Sequence, residues 1–377
     1  MASEVLKKGG EVASEVPGEA SGFDFEGMRF GVKAWRASAS DAREGGAPSV
    51  PIVFVHGFAQ QASTWDDVAQ LLTDAGARCF GFELAGHGVG ACSAGDGPAE
   101  RSGFFDLRFQ ARALLAFCGA VACDAGAAPV LVGYSMGGRV ALQAACLVAG
   151  DLRGGGKFDR ISLRSSAAFA PCGRTGRLDM AESGQRDTAA TPVGDAARML
   201  AAAPFSALVL ESAGLGPVDD AAREVLHERN FAWAARVRGE GVSAFMDWWA
   251  GLPLFESQRN LTNDQRERLR AGRLANDAES LALSFERAGA HVMPSRQESV
   301  RALCELSRRG IPVSYLAGEL DAKYCKVLAD LRAKSQGAIS CRIVPAAGHN
   351  IHLEQPRAFG AILEEVVESC TPKPAAL

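Results

Sequence analysis

The chain has 377 residues, 47% of them apolar and 22% charged, the balance of a globular protein rather than of a disordered one. At about 100 to 200 residues per domain it holds two domains, or one large α/β domain with insertions. Its 40 basic and 44 acidic residues leave a net charge of −4, which excludes a global positive field for nucleic acid or an anionic membrane, so an acidic ligand has to be met by a local cluster.

Residues 1–25 are rich in Glu, Gly, Ala and Ser without periodicity and read as a disordered tail. The start, Met1-Ala2-Ser3-Glu4, lacks a basic region followed by an apolar core, which makes the cytoplasm the expected compartment. Residues 28–37 and 52–55 read as strands, 62–75 as a helix, 79–84 as a strand and 105–121 as a helix. Pro129-Val130-Leu131-Val132 is a short apolar strand, and 136–148 is the helix after it. The longest apolar stretch, 127–150, is interrupted by Arg139 and three glycines, so no membrane span is expected. Residues 151–203 are Gly-, Arg- and Asp-rich, long for a connection inside a domain, and read as an insertion. A strand follows at 207–211, a wholly helical pattern at 218–289, and strands again at 313–316 and 342–344.

This alternation implies an α/β fold with a mainly parallel sheet flanked by helices, and the all-helical block implies a cap above it. The expected divisions are a tail (1–25), a first part of the core (26–213, containing the insertion), a helical cap (214–296) and a second part of the core (297–372). The ten cysteines form no C-x-x-C pair and read as buried thiols, and no His/Cys/Asp cluster has metal-ligand spacing.

Gly133-Tyr134-Ser135-Met136-Gly137 fits G-x-S-x-G between a buried strand and a helix, where the glycines permit a turn tight enough to expose the serine hydroxyl. Such a serine needs a base and an orienting acid. The strand at 313–316 runs into Gly318-Glu319-Leu320-Asp321, and the strand at 342–344 into Ala347-Gly348-His349. Both loops open at the edge where parallel sheets build their sites. Asp321 is the expected acid, with Glu319 as runner-up, and His349 the expected base. Backbone N–H groups of Phe58, in Val55-His56-Gly57-Phe58, and of Met136 are the expected oxyanion hole. His56 and His87 read as structural, His227 and His291 as solvated, and His352 as the start of a helix. Arg139 lies four residues after Ser135, so its side chain leans back toward the serine, although a cation there opposes the helix dipole. That misfit, and the suitability of guanidinium for carboxylates, mark it as a binding residue. Trp233, Trp248 and Trp249, with Arg223, Arg229, Arg259 and Arg273, are candidate lining from the cap.

Together these motifs resemble the α/β-hydrolase-fold enzymes, and more narrowly the 2-succinyl-6-hydroxy-2,4-cyclohexadiene-1-carboxylate synthases of menaquinone biosynthesis. The narrower resemblance rests on Tyr134-Ser135 with Arg139, on Glu211-Ser212-Ala213-Gly214, on Arg273-Leu274-Ala275-Asn276-Asp277, and on Gly318-Glu319-Leu320-Asp321 with Gly348-His349-Asn350. It implies a lyase that eliminates pyruvate without an external cofactor, from a polycarboxylate as its small-molecule partner. Ser135 would take the proton with help from His349, oriented by Asp321, while Phe58 and Met136 N–H hold the oxyanion. Tyr134, Arg139, Trp248 and Arg273 would bind the substrate, with Arg229 as the nearest counterpart of the family's early cap arginine and Arg223 the second. A serine hydrolase of carboxylate-bearing esters or C–C bonds, or a small-ligand receptor, are the other readings open to the same fold.

Overall fold

The computed structural model describes residues 20–35, 50–88, 98–153 and 204–371. Eight strands form one sheet: β1 (Ala20–Phe25), β2 (Met28–Trp35), β3 (Ile52–Val55), β4 (Cys79–Phe82), β5 (Val130–Tyr134), β6 (Ala207–Glu211), β7 (Val313–Gly318) and β8 (Ser340–Val344), in the order β1-β2-β4-β3-β5-β6-β7-β8. From β4 through β8 every pairing is parallel, while β1 and β2 are antiparallel additions at one edge. The central strands β3, β5 and β6 are buried throughout, as expected for a sheet covered on both faces. Their side chains alternate between two cores: Ile52 and Phe54 join Trp65, Val132 and Phe359 on one side, whereas Val53 and Val55 join Phe117, Leu131 and Val140 on the other.

The helices follow in chain order. They are α1 (Asp66–Asp74), α2 (Pro98–Phe104), α3 (Leu107–Ala125), α4 (Met136–Arg153), α5 (Asp220–Ala250), α6 (Asn263–Leu274), α7 (Ala278–Ala288), α8 (Arg296–Arg308), α9 (Ala322–Ser335), α10 (Ile351–Glu354) and α11 (Pro356–Cys370). Helix α3 starts where Asp106 accepts the N–H groups of Arg108 and Phe109, and α8 opens on a capping box between Ser295 and Glu298. Between β6 and β7 the chain is helical: α5, bent at Gly241, packs along α7, and a 3-10 turn (Pro253–Asn260) leads to α6. The cap rests on the core where Phe58 meets Trp249 and Phe285 at ring distances of 5.0 and 4.2 Å, and where Asn276 donates to the Ala59 carbonyl. No helix among the described residues is long and apolar enough to cross a membrane.

Three expectations change. The tail does not extend to residue 25, because Ala20–Phe25 pairs with β2 through a two-residue turn whose Glu26 and Gly27 both have positive φ, the geometry that matches strand twist in a hairpin. Phe23, Phe25, Met28 and Phe30 alternate into the core, a period-2 signal hidden by the composition of the residues before it. Helix α2 has no counterpart in the sequence reading. Of the cysteines, Cys79 and Cys118 are buried but Cys123 is exposed and five others are half-buried. Of the expected insertion, 151–153 complete α4 and 154–203 lie outside the described residues.

Candidate active site

The turn from β5 into α4 is made by glycines. Ser135 is held at φ 48°, a left-handed conformation costly for a residue with a Cβ. A Cβ on Gly137 would lie 2.3 Å from the Val55 carbonyl oxygen, and one on Gly138 would lie 2.5 Å from the Ala213 methyl. The turn is thus packed against the end of β3 and the segment that leaves β6, with Ser135 N–H donating to the Glu211 carbonyl at 2.9 Å.

Opposite Ser135, the loops after β7 and β8 supply the other two groups. Asp321 caps α9, accepting the Tyr324 N–H with Oδ1, and leaves Oδ2 for His349 Nδ1 at 2.7 Å. Nε2 of His349 lies 3.1 Å from Ser135 Oγ. Since a carboxylate only accepts, Nδ1 carries the proton and Nε2 faces the hydroxyl as an acceptor. Asp321 and His349 are buried, so water competes little for these bonds. Glu319, by contrast, turns to the Ala346 N–H at 3.0 Å, away from the imidazole. The His349 turn is itself tied down, because Glu354 accepts the N–H groups of Gly348 and Asn350 on either side of it and the Ser257 hydroxyl from the cap. Burial is the main influence raising the Glu354 pKa.

On the β3 side, His56 and His87 brace the loop that carries Phe58. His56 donates from Nδ1 to the Gly57 carbonyl and accepts the Leu84 N–H, and His87 donates to the Ala85 carbonyl and accepts the Ala59 N–H. Burial pushes their pKa values down to about 3 and about 4. The N–H groups of Phe58 and Met136 donate to no acceptor among the described residues.

Around this group stand arginines without carboxylates. Arg139 is half-buried, and its guanidinium has no hydrogen bond or ion pair among the described residues; burial brings its pKa down to about 10, with Tyr324 and Arg229 close enough to act on it electrostatically. Arg229 lies over the Trp233 ring at 4.6 Å, and Arg273 over Phe255 at 5.4 Å with one bond to Gln258. Burial lowers the pKa of both. The Nε atoms of Arg229 and Arg273 and the Nε2 of Gln258 are buried donors with no acceptor. Arg223 is committed to the carbonyls of His291 and Met293, and Arg259 pairs with Glu256 at the surface, whereas Arg229 is near enough for its charge to act on Arg139.

Several expected positions need adjustment. His291 is buried, not solvated, its Nδ1 2.8 Å from Asn230 Nδ2. Trp248 meets Arg236, Phe245 and Trp233, and it is Trp249 that touches Phe58. Tyr134 is buried with its ring 5.3 Å from His349, and burial pushes its pKa well up. Three neighbours of the site were missed: Phe255 and Tyr324, with rings 5.7 and 4.9 Å from His349, and Gln258. Tyr324 follows Asp321 by three residues, so its position on the first turn of a helix capped by that acid was the signal available.

A parallel sheet with this serine turn and this order of serine, acid and histidine defines an α/β hydrolase, and the chain belongs to the Alpha/beta hydrolase family, whose pattern matches residues 52–362. More narrowly, it is similar to the 2-succinyl-6-hydroxy-2,4-cyclohexadiene-1-carboxylate synthase of Escherichia fergusonii, 28% identical over 323 residues, 85% of this chain and 96% of that one. It also matches a Bacillus subtilis protein named as a putative synthase of the same kind, 36% identical over 166 residues, 44% of this chain and 57% of that one. Among solved structures, MenH from S. aureus superposes with a TM-score of 0.63 at 22% identity, covering 90% of this chain and 98% of its own. A malate-bound thermophilic esterase from Thermogutta terrifontis gives 0.61 at 19%, covering 94% and 100%. At those identities the likeness is one of fold.

Proposed function

We propose that this protein is a carbon–oxygen lyase that eliminates pyruvate from a succinyl- and enolpyruvyl-substituted cyclohexene carboxylate, giving 2-succinyl-6-hydroxy-2,4-cyclohexadiene-1-carboxylate for menaquinone biosynthesis. The observation that carries this reading is the set of Arg139, Arg229 and Arg273, which lack carboxylate partners and surround a complete Ser135–His349–Asp321 hydrogen-bond chain. Buried donors without acceptors are costly, and a polycarboxylate supplies what they lack. The names of the Escherichia and Bacillus relatives support the same substrate.

In this mechanism His349, held in its Nδ1–H form by Asp321, draws the proton from Ser135 Oγ, and the oxygen removes the ring proton. The C–H electron pair becomes the new ring double bond, the C–O bond to the enolpyruvyl group breaks, and the departing enolate takes up a proton to become pyruvate. The N–H groups of Phe58 and Met136 hold the oxyanion that develops on the succinyl carbonyl oxygen as the neighbouring ring C–H ionises. Trp249 on Phe58 and Phe255 beside His349 complete the walls around the succinyl arm. The polycarboxylate is a small soluble molecule, in keeping with a cytoplasmic enzyme.

The second reading is a serine hydrolase. The 3.1 Å bond between Ser135 and His349 also suits nucleophilic attack, and an esterase shares the fold. One experiment separates the two. Purified protein is given the enzymatically generated intermediate while pyruvate release and diene absorbance are followed, alongside simple activated esters. Pyruvate and diene appearing together, with only unmodified protein mass after rapid quench, support the lyase; ester turnover with an adduct on Ser135 and no pyruvate would sink it.

A further inference from the structure

Directly behind the reacting groups lies a second imidazole–carboxylate pair that the mechanism above leaves unused. Glu211, the last residue of β6, and His352, at the head of α10, are both fully buried, with His352 Nδ1 2.7 Å from Glu211 Oε2. The other oxygen, Oε1, accepts the His352 backbone N–H at 3.1 Å. The same Glu211 reaches the serine turn, since its backbone carbonyl accepts Ser135 N–H.

These bonds close a ring. Ser135 is tied to Glu211 through the backbone, Glu211 to His352 through the side chain, and His352 stands three residues after His349, which returns to Ser135 through Nε2. Tyr134 fills the ring's interior, 5.0 Å from His352 and 5.3 Å from His349. On the outer side, Trp65 stacks on His352 at 3.7 Å with planes 21° apart, so the imidazole cannot swing away. Two carboxylate oxygens on one residue therefore fix both the backbone and the ring of His352.

A buried ion or dipole pair is a poor source of net stability, because its desolvation offsets its attraction, so its presence at the junction of nucleophile and base calls for a role beyond stability. We propose that Glu211 and His352 are positioning residues that set the distance and alignment between Ser135 Oγ and His349 Nε2. The proposal rests on the reading of Ser135 and His349 as the reacting pair. It does not depend on the substrate. A displacement of the order of 1 Å at such a contact costs about a hundredfold in rate.

The test uses the full-length protein and a fluorophosphonate, which needs no natural substrate. Ser135 Oγ attacks phosphorus, the P–F bond breaks, fluoride leaves and the serine proton passes to His349. Second-order rate constants are compared for wild type, Glu211→Gln, His352→Asn and His352→Leu, each checked by circular dichroism and melting temperature. Asn sets an amide N–H where Nδ1–H stands, so His352→Asn should keep the bond to Glu211 and react within about fivefold of wild type. His352→Leu and Glu211→Gln should fall about 10- to 100-fold. The pH of half-maximal reactivity should stay fixed, because alignment changes rather than the base. If one variant does not fold, each of the others is judged against wild type, and a folded His352→Leu or Glu211→Gln that reacts at the wild-type rate overturns the proposal. Folded variants that melt earlier yet react at the wild-type rate would make the pair purely structural and overturn the proposal. An unreactive wild-type serine would overturn the reading of the site itself, and the proposal with it.

Discussion

The core side and the cap side of the site are built on opposite terms. On the core side the triad and the side chains that brace it are bonded to one another: Ser135, His349 and Asp321 bond in series, Glu354 holds the His349 turn, and two neutral histidines brace the Phe58 loop. Facing them, Arg139 from α4 and the cap residues Arg229, Arg273 and Gln258 keep buried donors or charges without acceptors. Reactivity needs fixed alignment, which internal bonds supply, whereas recognition needs groups whose bonding is completed by the ligand. The difference predicts that core lesions cost rate whatever the substrate, and that arginine lesions cost it only for anionic substrates.

The harshest way to break the core side is acid. His56 and His87 accept backbone N–H groups through Nε2, so protonation sets N–H against N–H. With folded pKa values of about 3 and about 4 against 6.5 for the free side chain, the unfolded chain binds the extra protons. Their contribution is complete above about pH 6.5 and is lost as the pH falls toward 4 and 3, at about 1.4 kcal/mol per pKa unit. That is a few kcal/mol for each histidine, roughly, against a total stability of about 5 to 15 kcal/mol. Chemical denaturation between pH 7 and 4 should show a steep decline, and a flat profile would mean that these imidazoles are not held neutral.

Next comes the proposed relay. Ser135→Ala, His349→Ala and Asp321→Asn should each lower kcat/KM for pyruvate release by about 10² to 10³ or more. Because they act in series, Ser135→Ala with His349→Ala should be little worse than either alone; additive losses would count against a common mechanism.

On the arginine side, Arg139→Ala should lower kcat/KM by about 30- to 1,000-fold for the polycarboxylate, with Arg139→Lys recovering part of the loss. Its melting temperature should stay level or rise, since a partly desolvated cation leaves the positive end of α4. Wild-type turnover by Arg139→Ala would reduce this residue to a bystander. The smallest change expected is from Glu319→Gln, which alters only the acceptor for Ala346 N–H: activity within about twofold and a stability loss of about 1 kcal/mol. A larger loss of activity would reopen the choice of acid.

What the sequence disclosed follows the same division. Strands β3, β5 and β6 are continuous apolar runs, and the serine, acid and histidine follow strands in a fixed order, so local pattern sufficed for them. Asp321 over Glu319 could be favoured but not proved, because two residues on one turn differ only in where the loop points them. Arg229 and Arg223 share α5, and what separates them is a pair of carbonyls about 70 residues away in sequence, beyond the reach of any local pattern. A still longer separation hides the Glu211–His352 pair, whose members are 141 residues apart. The hairpin of β1 and β2 was legible in its alternation and was lost to the composition around it.

The glycines of the serine turn have a consequence for what this architecture can become. Gly137 presses against main-chain oxygens of Val55 and His56, so the Ser135 turn and the loop bearing Phe58 meet backbone to backbone. Substitution can alter side chains but not main-chain atoms, and even one methyl at Gly137 would force the two loops apart. The reactive half is therefore nearly closed to gradual adjustment. A lineage built on this frame would find new substrates by exchanging the residues that look down on it, one arginine or tryptophan at a time, while the serine beneath stayed where it was.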